Sequence, residues 1–179
     1  IRAGGGRLQR RDFYLSEPAT TNNRMALKGA AAALEILAGK GARLSVLMVS
    51  DSQYLVRGMR EWVPGWRNRQ WTRKGGPIEN LELWKRLDAV RRKHDVQWAW
   101  LRGHAGHPKN TYADHLAVRA AREQRSSEGA VASDFDRWLE AEQEKGRYPG
   151  YDPDGAFAAL EARVAEGEGF PLVLTEQPG

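Results

Sequence analysis

RLSVLMVSDSQYLVRGMREWV, residues 43–63, changes character at its middle. Arg43 to Asp51 is a short, almost fully apolar run, the composition of a strand buried on both faces. The stretch that follows, Ser52 to Val63, reads as a helix, so Asp51 stands at the carboxyl end of a strand. Outward from this unit the pattern alternates. Upstream, Leu8–Leu15 carries the β-favouring Phe13-Tyr14 pair in ragged alternation, and Asn22 to Leu37 spaces Ala, Leu, Met and Ile as a helix closed by Gly39 and Gly41. Downstream come PGWRNRQWTRKGGP (64–77), a basic, aromatic excursion bounded by Pro and Gly, a helix from Glu79 to Lys93, and a strand from Val96 to Gly103. HAGHPKN is then a loop, and Asn110 caps a helix through Asp114 to Arg122. The order β-α-β-α-loop-α-β-α predicts an α/β layer with a mixed or parallel sheet.

The chain has 179 residues, 41% hydrophobic, with seven Trp and no Cys. Its length suits one domain with an appendage. Disulfides and thiolate metal sites are excluded, so a metal would need carboxylates or His, which points to hard cations such as Mg²⁺. No apolar run approaches a membrane span and no signal peptide opens the chain, which predicts the cytoplasm and no membrane partner. The net charge of +5 conceals a split. Residues 1–125 hold 24 Lys and Arg against 11 Asp and Glu, and residues 126–179 hold 4 against 12. A basic body interleaved with Trp predicts a polyanionic partner. The acidic stretch, with helices over DFDRWLEAEQEK and DGAFAALEARVAEGEG, reads as an appendage that solubilises, binds a partner, or folds over the basic face as a nucleic-acid mimic.

Asp51 beyond a strand and Asp114 early in a helix are placed to meet a ligand. By itself Asp114 could equally be a residue that complements the helix dipole. Two acids and a His from separate segments are what Mg²⁺-dependent phosphodiester hydrolysis requires. His104, between Gly103 and Gly106, is the candidate for a mobile proton shuttle, and His107 before Pro108 reads as structural.

These residues carry a resemblance. TTNNRM (20–25), SDSQYL (50–55), WVPGWRNRQWTRKGGPIENLELWKRLD (62–88) and WLRGHAGHPKNTYADHLA (100–117) resemble a type 1 ribonuclease H of the bacterial kind over residues 1–122. The resemblance implies a mixed five-stranded sheet flanked by helices over residues 1–125, its first, central strand missing from this chain, and a C-terminal helical extension over 126–179. It implies endonucleolytic cleavage of the RNA strand of RNA–DNA hybrids by two Mg²⁺ ions, for which Mn²⁺ can substitute, held by Asp, Glu, Asp and Asp. Asp51 matches the third acid, Asp114 the fourth, and His104 the mobile His. The second position is Ala26, a methyl group that holds no metal. Glu35 lies nine residues further on, roughly 13.5 Å along the helix, and Glu17 precedes it. The first acid belongs on a strand expected before Ile1, so the chain reads as a fragment of a longer protein.

Among the substrate contacts, the resemblance places Asn22, Asn23 and Gln53 in the hybrid's minor groove, where amides can read the RNA 2′-OH. Thr21 and Asn80 match part of a pocket for a DNA phosphate, with Ala19 where an Arg is common, and Asn110 matches a substrate contact beside Asp114. Trp66 and Trp71 match surface aromatics of a basic protrusion along the DNA strand, whereas Trp62 reads as core. The expected protein is a monomer acting on RNA–DNA hybrid. A catalytically inactive hybrid-binding module is the alternative, and an α/β protein-interaction domain is a third reading.

Overall fold

The computed structural model describes residues 6–39, 41–103 and 106–166. They fall into two compact units, one spanning Glu17–Gly103 and the other combining residues 6–16 with 106–166. The charge boundary at Arg125 falls inside the second.

In the first unit, α1 (Asn22–Ala38) starts where the Thr21 hydroxyl accepts the Arg24 amide at 3.3 Å. Its buried residues Leu27, Ala30, Ala31 and Leu34 recur at helical spacing, giving one apolar stripe that packs on α4 (Leu81–Arg91). β2 (Ser45–Ser50) pairs in parallel with β3 (Asp95–Trp100), Ser45 opposite Asp95 and Ser50 opposite Trp100. The link between them is helical, as a parallel crossover requires: α2 (Gln53–Arg57), a π-turn (Gly58–Trp62), α3 (Val63–Asn68) and α4. β2 is less buried than its apolar composition predicts, with Val49 37% exposed. Its second edge has no strand partner among the described residues.

The core centres on Trp84, wholly buried with Leu27, Leu34 and Leu87. A Cβ on Gly58 would lie 2.0 Å from the Trp84 ring, so this approach of helix to indole requires glycine. Buried His94 ties the layers together: its Nδ1 accepts the Leu44 amide, leaving Nε2 to donate to the Leu34 carbonyl, each at 3.3 Å. Buried Asp88 is met by Arg91 at 3.1 Å, Arg92 at 3.3 Å and Arg67 at 3.7 Å, a pairing that offsets the loss of its hydration.

The second unit has a different basis. The strand expected over Leu8–Leu15 contracts to β1 (Arg11–Asp12), antiparallel to β4 (Val131–Ala132). The reason is Asp12: its buried carboxylate accepts the Tyr112 hydroxyl at 2.6 Å, the Ser133 hydroxyl at 2.6 Å and the Asp134 amide at 3.2 Å. These bonds hold a polar residue inside where regular alternation would have placed an apolar one. α5 (Pro108–Glu123) turns Tyr112 and Leu116 toward Phe135 and Leu139 of α6 (Phe135–Glu144), with Tyr14, Trp138, Tyr148 and Tyr151 around them. α7 (Pro153–Ala165) closes the described chain and contributes no buried residue.

Two boundaries move for local reasons. The excursion expected from Pro64 begins after Asn68, because Pro64 enters in the first turn of α3, where its missing N–H costs nothing. Likewise α5 starts at Pro108, so Asn110 lies inside its first turn and is not the N-cap; His107 is, without a side-chain capping bond.

The architecture is α/β as expected, but in place of one mixed five-stranded sheet the described residues form two separate two-stranded sheets, one parallel and one antiparallel. No helix there is long and apolar enough to cross a membrane.

Candidate functional site

Asp51 follows the last residue of β2, and its neighbours fix it from both sides. Ser50 Oγ accepts the Ser52 amide at 3.1 Å, Ser52 Oγ caps α2 on the Leu55 amide, and Trp100 Nε1 donates to the Asp51 carbonyl at 3.1 Å. The indole thus reaches from the end of β3 to the end of its parallel partner. A Cβ on Gly103 would stand 3.2 Å from Asp51 Oδ2. Gly103, expected to free the following loop, also leaves room for this exposed carboxylate.

The resemblance's second acid is Ala26, one turn into α1 and packed against the core of the Glu17–Gly103 unit. Neither nearby acid is at liberty. Glu17 is ion-paired to Lys28, whose hydrogen bond holds its carboxyl below the usual range. Glu35 is gripped by Arg86 through bonds of 2.8 and 2.6 Å, and that pairing likewise lowers its pKa. Asp114 is exposed on α5, in the unit of residues 6–16 and 106–166. His104 lies outside the described residues.

Divalent cations need several oxygen donors at one point. Among the described residues no three His, Cys, Asp or Glu side chains converge to hold a metal. Asp51 offers the right chemistry, but the donors described here do not fit a two-cation centre, since Ala26 supplies none.

The residues expected to meet nucleic acid are better assembled. Arg24, which the sequence reading passed over, links two of them: its amide donates to Thr21 Oγ1, and its guanidinium donates to Asn80 Oδ1 at 3.3 Å. A guanidinium therefore stands beside Asn80, although Ala19 lacks one. The N-cap at Thr21 foretells only the amide bond of residue 24; the reach of its guanidinium to Asn80, 56 positions on, has no local signal. Asn80 adopts a left-handed conformation, φ 56°, which Asn tolerates, and its Nδ2 donates to the Tyr54 hydroxyl. Trp84 Nε1 donates to the same hydroxyl at 3.2 Å, fastening this corner to the core. Asn22 and Gln53 are exposed, and Asn23 is half-buried in the first turn of α1.

Trp66 corrects the surface expectation. It is 8% exposed, its ring 5.9 Å from Trp62 and 5.8 Å from Trp84, because the continuing helix turns it inward. Trp71 is half-buried, and its amide donates to the Trp66 carbonyl at 2.6 Å. It holds φ 62°, uncommon for a bulky residue. Such strain persists only where the surroundings enforce it and often marks a functional position. Trp62 and Trp66 also line a cleft of about 400 Å³ with Tyr54, Arg69 and Arg73.

Comparison with known proteins agrees with this geometry. The RNase H family model matches residues 2–122. The chain is similar to Ribonuclease HI of Caulobacter vibrioides, 47% identical over 116 residues that cover 64% of this chain and 76% of that protein. Ribonuclease H of Alcanivorax borkumensis is 40% identical over 123 residues, 68% of this chain and 80% of its own. Among solved structures, LC9-RNase H1, a type 1 RNase H with the type 2 active-site motif, superposes with a TM-score of 0.76 at 39% identity, covering 100% of this chain and 83% of that one. Strand-end carboxylate, capped α1 and Trp-centred core thus have their place in one lineage: the chain belongs to the ribonuclease H family in its bacterial type 1 form, hydrolases that cleave the RNA strand of RNA–DNA hybrids endonucleolytically and use divalent metal ions.

Proposed function

We propose that this chain acts on RNA–DNA hybrids as a ribonuclease H whose recognition surface persists while its hydrolytic step is curtailed at Ala26. The observation that carries this reading is the contrast within α1. Its first turn keeps Thr21, Asn22, Asn23 and Arg24, whereas one turn further the acid is replaced by a methyl group packed on the core. Amides and a guanidinium suit the 2′-OH and phosphate of a hybrid, and contacts to the backbone set position while groove contacts discriminate.

In this reading Thr21, Asn80 and Arg24 take a DNA phosphate, Asn22, Asn23 and Gln53 approach the minor groove, Asn110 contacts substrate beside Asp114, and Trp71 packs on the DNA strand. Of the family's metal-ligand positions, those of Asp51 and Asp114 still carry a carboxylate suited to Mg²⁺ or Mn²⁺, and His104 stands at the position of its proton shuttle. Residues 1–125 form the hybrid-cleaving domain and 126–179 an extension, in a cytoplasmic monomer. A second reading, an inactive hybrid-binding module, is favoured by the same vacancy at Ala26 and by the engagement of Glu17 and Glu35 with basic partners.

The deciding experiment follows the full chain on a labelled RNA–DNA hybrid and a matched DNA duplex, first in Mg²⁺ and then in Mn²⁺. Preference for the hybrid with slow cutting of the RNA strand alone supports the first reading, and preference without cutting in either ion supports the second. Equal binding to both duplexes overturns both.

A further inference from the structure

The start of α5 is held at three residues by side chains from beyond residue 122, where the match to the family model ends. The Tyr148 hydroxyl donates to Thr111 Oγ1 at 3.0 Å, and Thr111 Oγ1 donates in turn to the His107 carbonyl at 3.2 Å. That carbonyl already accepts the Thr111 amide at 3.0 Å, so Tyr148 fixes the rotor of a hydroxyl that doubles the first bond of the helix. The Tyr151 ring meets the His107 imidazole edge to face, their centres 6.2 Å apart. On Tyr112 the hold is indirect, since its hydroxyl donates to Asp12, which also accepts the Ser133 hydroxyl.

The loop that carries Tyr148 and Tyr151 is itself fastened. Gln143 of α6 donates from Nε2 to the carbonyls of both, at 3.2 and 3.3 Å, so one side-chain amide secures the two ends of the loop. Tyr148 holds φ 51°, uncommon for a bulky residue, and its ring lies 5.9 Å from that of Trp138 in α6. A tail that only solubilises the protein needs none of these bonds. The turn they hold contains Asn110, directly before Thr111, and leads to Asp114.

We propose that the extension is a positioning element for hybrid binding, in which Tyr148, through Thr111, sets the turn that presents Asn110 to the substrate. This inference rests on the reading of Asn110 as a substrate contact under Proposed function. Tyr148 acts through its neighbour and touches no nucleic acid itself. A helix end free to fray loses conformational freedom when it binds, and a turn already held in one geometry loses less, a difference that appears as affinity.

The test is a titration of a labelled RNA–DNA hybrid with the full chain, carried around a cycle of Tyr148→Phe and Asn110→Ala. Tyr148→Phe keeps the ring and removes the hydroxyl. It is expected to raise the dissociation constant about twofold to tenfold, the range for loss of one neutral hydrogen bond. With Asn110→Ala in place the same change should leave the constant where it is, because the group being positioned is gone. An equal fold loss in both backgrounds, as a purely structural role would give, overturns the proposal. So does unaltered affinity in Tyr148→Phe where Asn110→Ala alone weakens binding. Affinity indifferent to Asn110→Ala overturns the substrate contact itself and the positioning with it, so that single variant tells the two failures apart. Should Tyr148→Phe fail to fold, Thr111→Val, which removes the acceptor at nearly the same shape, goes around the same cycle with the same expectations.

Discussion

The two compact units weight apolar packing and buried polar bonds differently. Glu17–Gly103 is dominated by apolar geometry, a helical stripe, a parallel strand pair and a Trp cluster around Trp84, with His94 and Asp88 as its buried polar groups. The other unit has a smaller cluster of Tyr112, Leu116, Phe135 and Leu139, beside which a buried carboxylate, Asp12, gathers groups from residues 112, 133 and 134. Apolar packing is non-directional and survives small shifts, whereas a buried polar network is worth its full value only when every member is in place. The first style leaves a periodic trace in sequence and the second does not.

Trp84→Ala separates the units most strongly. It removes the largest wholly buried side chain and should cost about 3–5 kcal/mol. Urea unfolding should show that loss, while hydrogen exchange of the α5–α6 amides stays near its original rate if the units are independently stabilised. Next is Asp12→Ala, which strands the Tyr112 and Ser133 hydroxyls inside and should cost about 3 kcal/mol. Here faster exchange is expected in β4 and α6, with α1 and α4 unchanged, and uniform acceleration would contradict the contrast.

Alkaline pH sharpens the same comparison. Burial, and then the hydrogen bond to Asp12, raise the Tyr112 pKa. A group whose folded pKa is raised contributes fully below its unfolded value, about 10 for tyrosine, and loses that contribution as pH climbs toward the folded value. Stability measured by near-ultraviolet circular dichroism should therefore fall above about pH 10, and Tyr112→Phe should remove that part of the pH dependence. The smallest effect belongs to Arg43→Ala. Its pair with Asp95 is 62% exposed on both sides, so urea unfolding should barely distinguish the variant from the unaltered chain, and less again in high salt.

This contrast also explains what was legible. α1, α4 and β3 repeat apolar residues at the period of their element, β2 is a continuous apolar run, and Asp51 at its end follows from that run. The pairing of β1 with β4 depends on Asp12 meeting Ser133 across 121 positions of sequence, which no local pattern encodes. Trp66 misled for a related reason: basic neighbours suggested a surface, but only the continuation of the helix through Pro64 decides which way the indole points. At the site, Thr21 and Asn80 were readable singly, and their junction through Arg24 needed the fold. The engagement of Glu17 by Lys28 and Glu35 by Arg86 was equally invisible, and it makes the vacancy at Ala26 consequential.

That vacancy is the centre of the account, and the rate of RNA-strand cleavage by Ala26→Glu against the Ala26 form, both made in the full-length protein, on one labelled hybrid in Mg²⁺, tests it most directly. Restoring a carboxylate where charge must be met should raise the rate by at least about tenfold, with hybrid affinity changed far less. Equal rates for the two chains would contradict the claim that hydrolysis is curtailed at this residue.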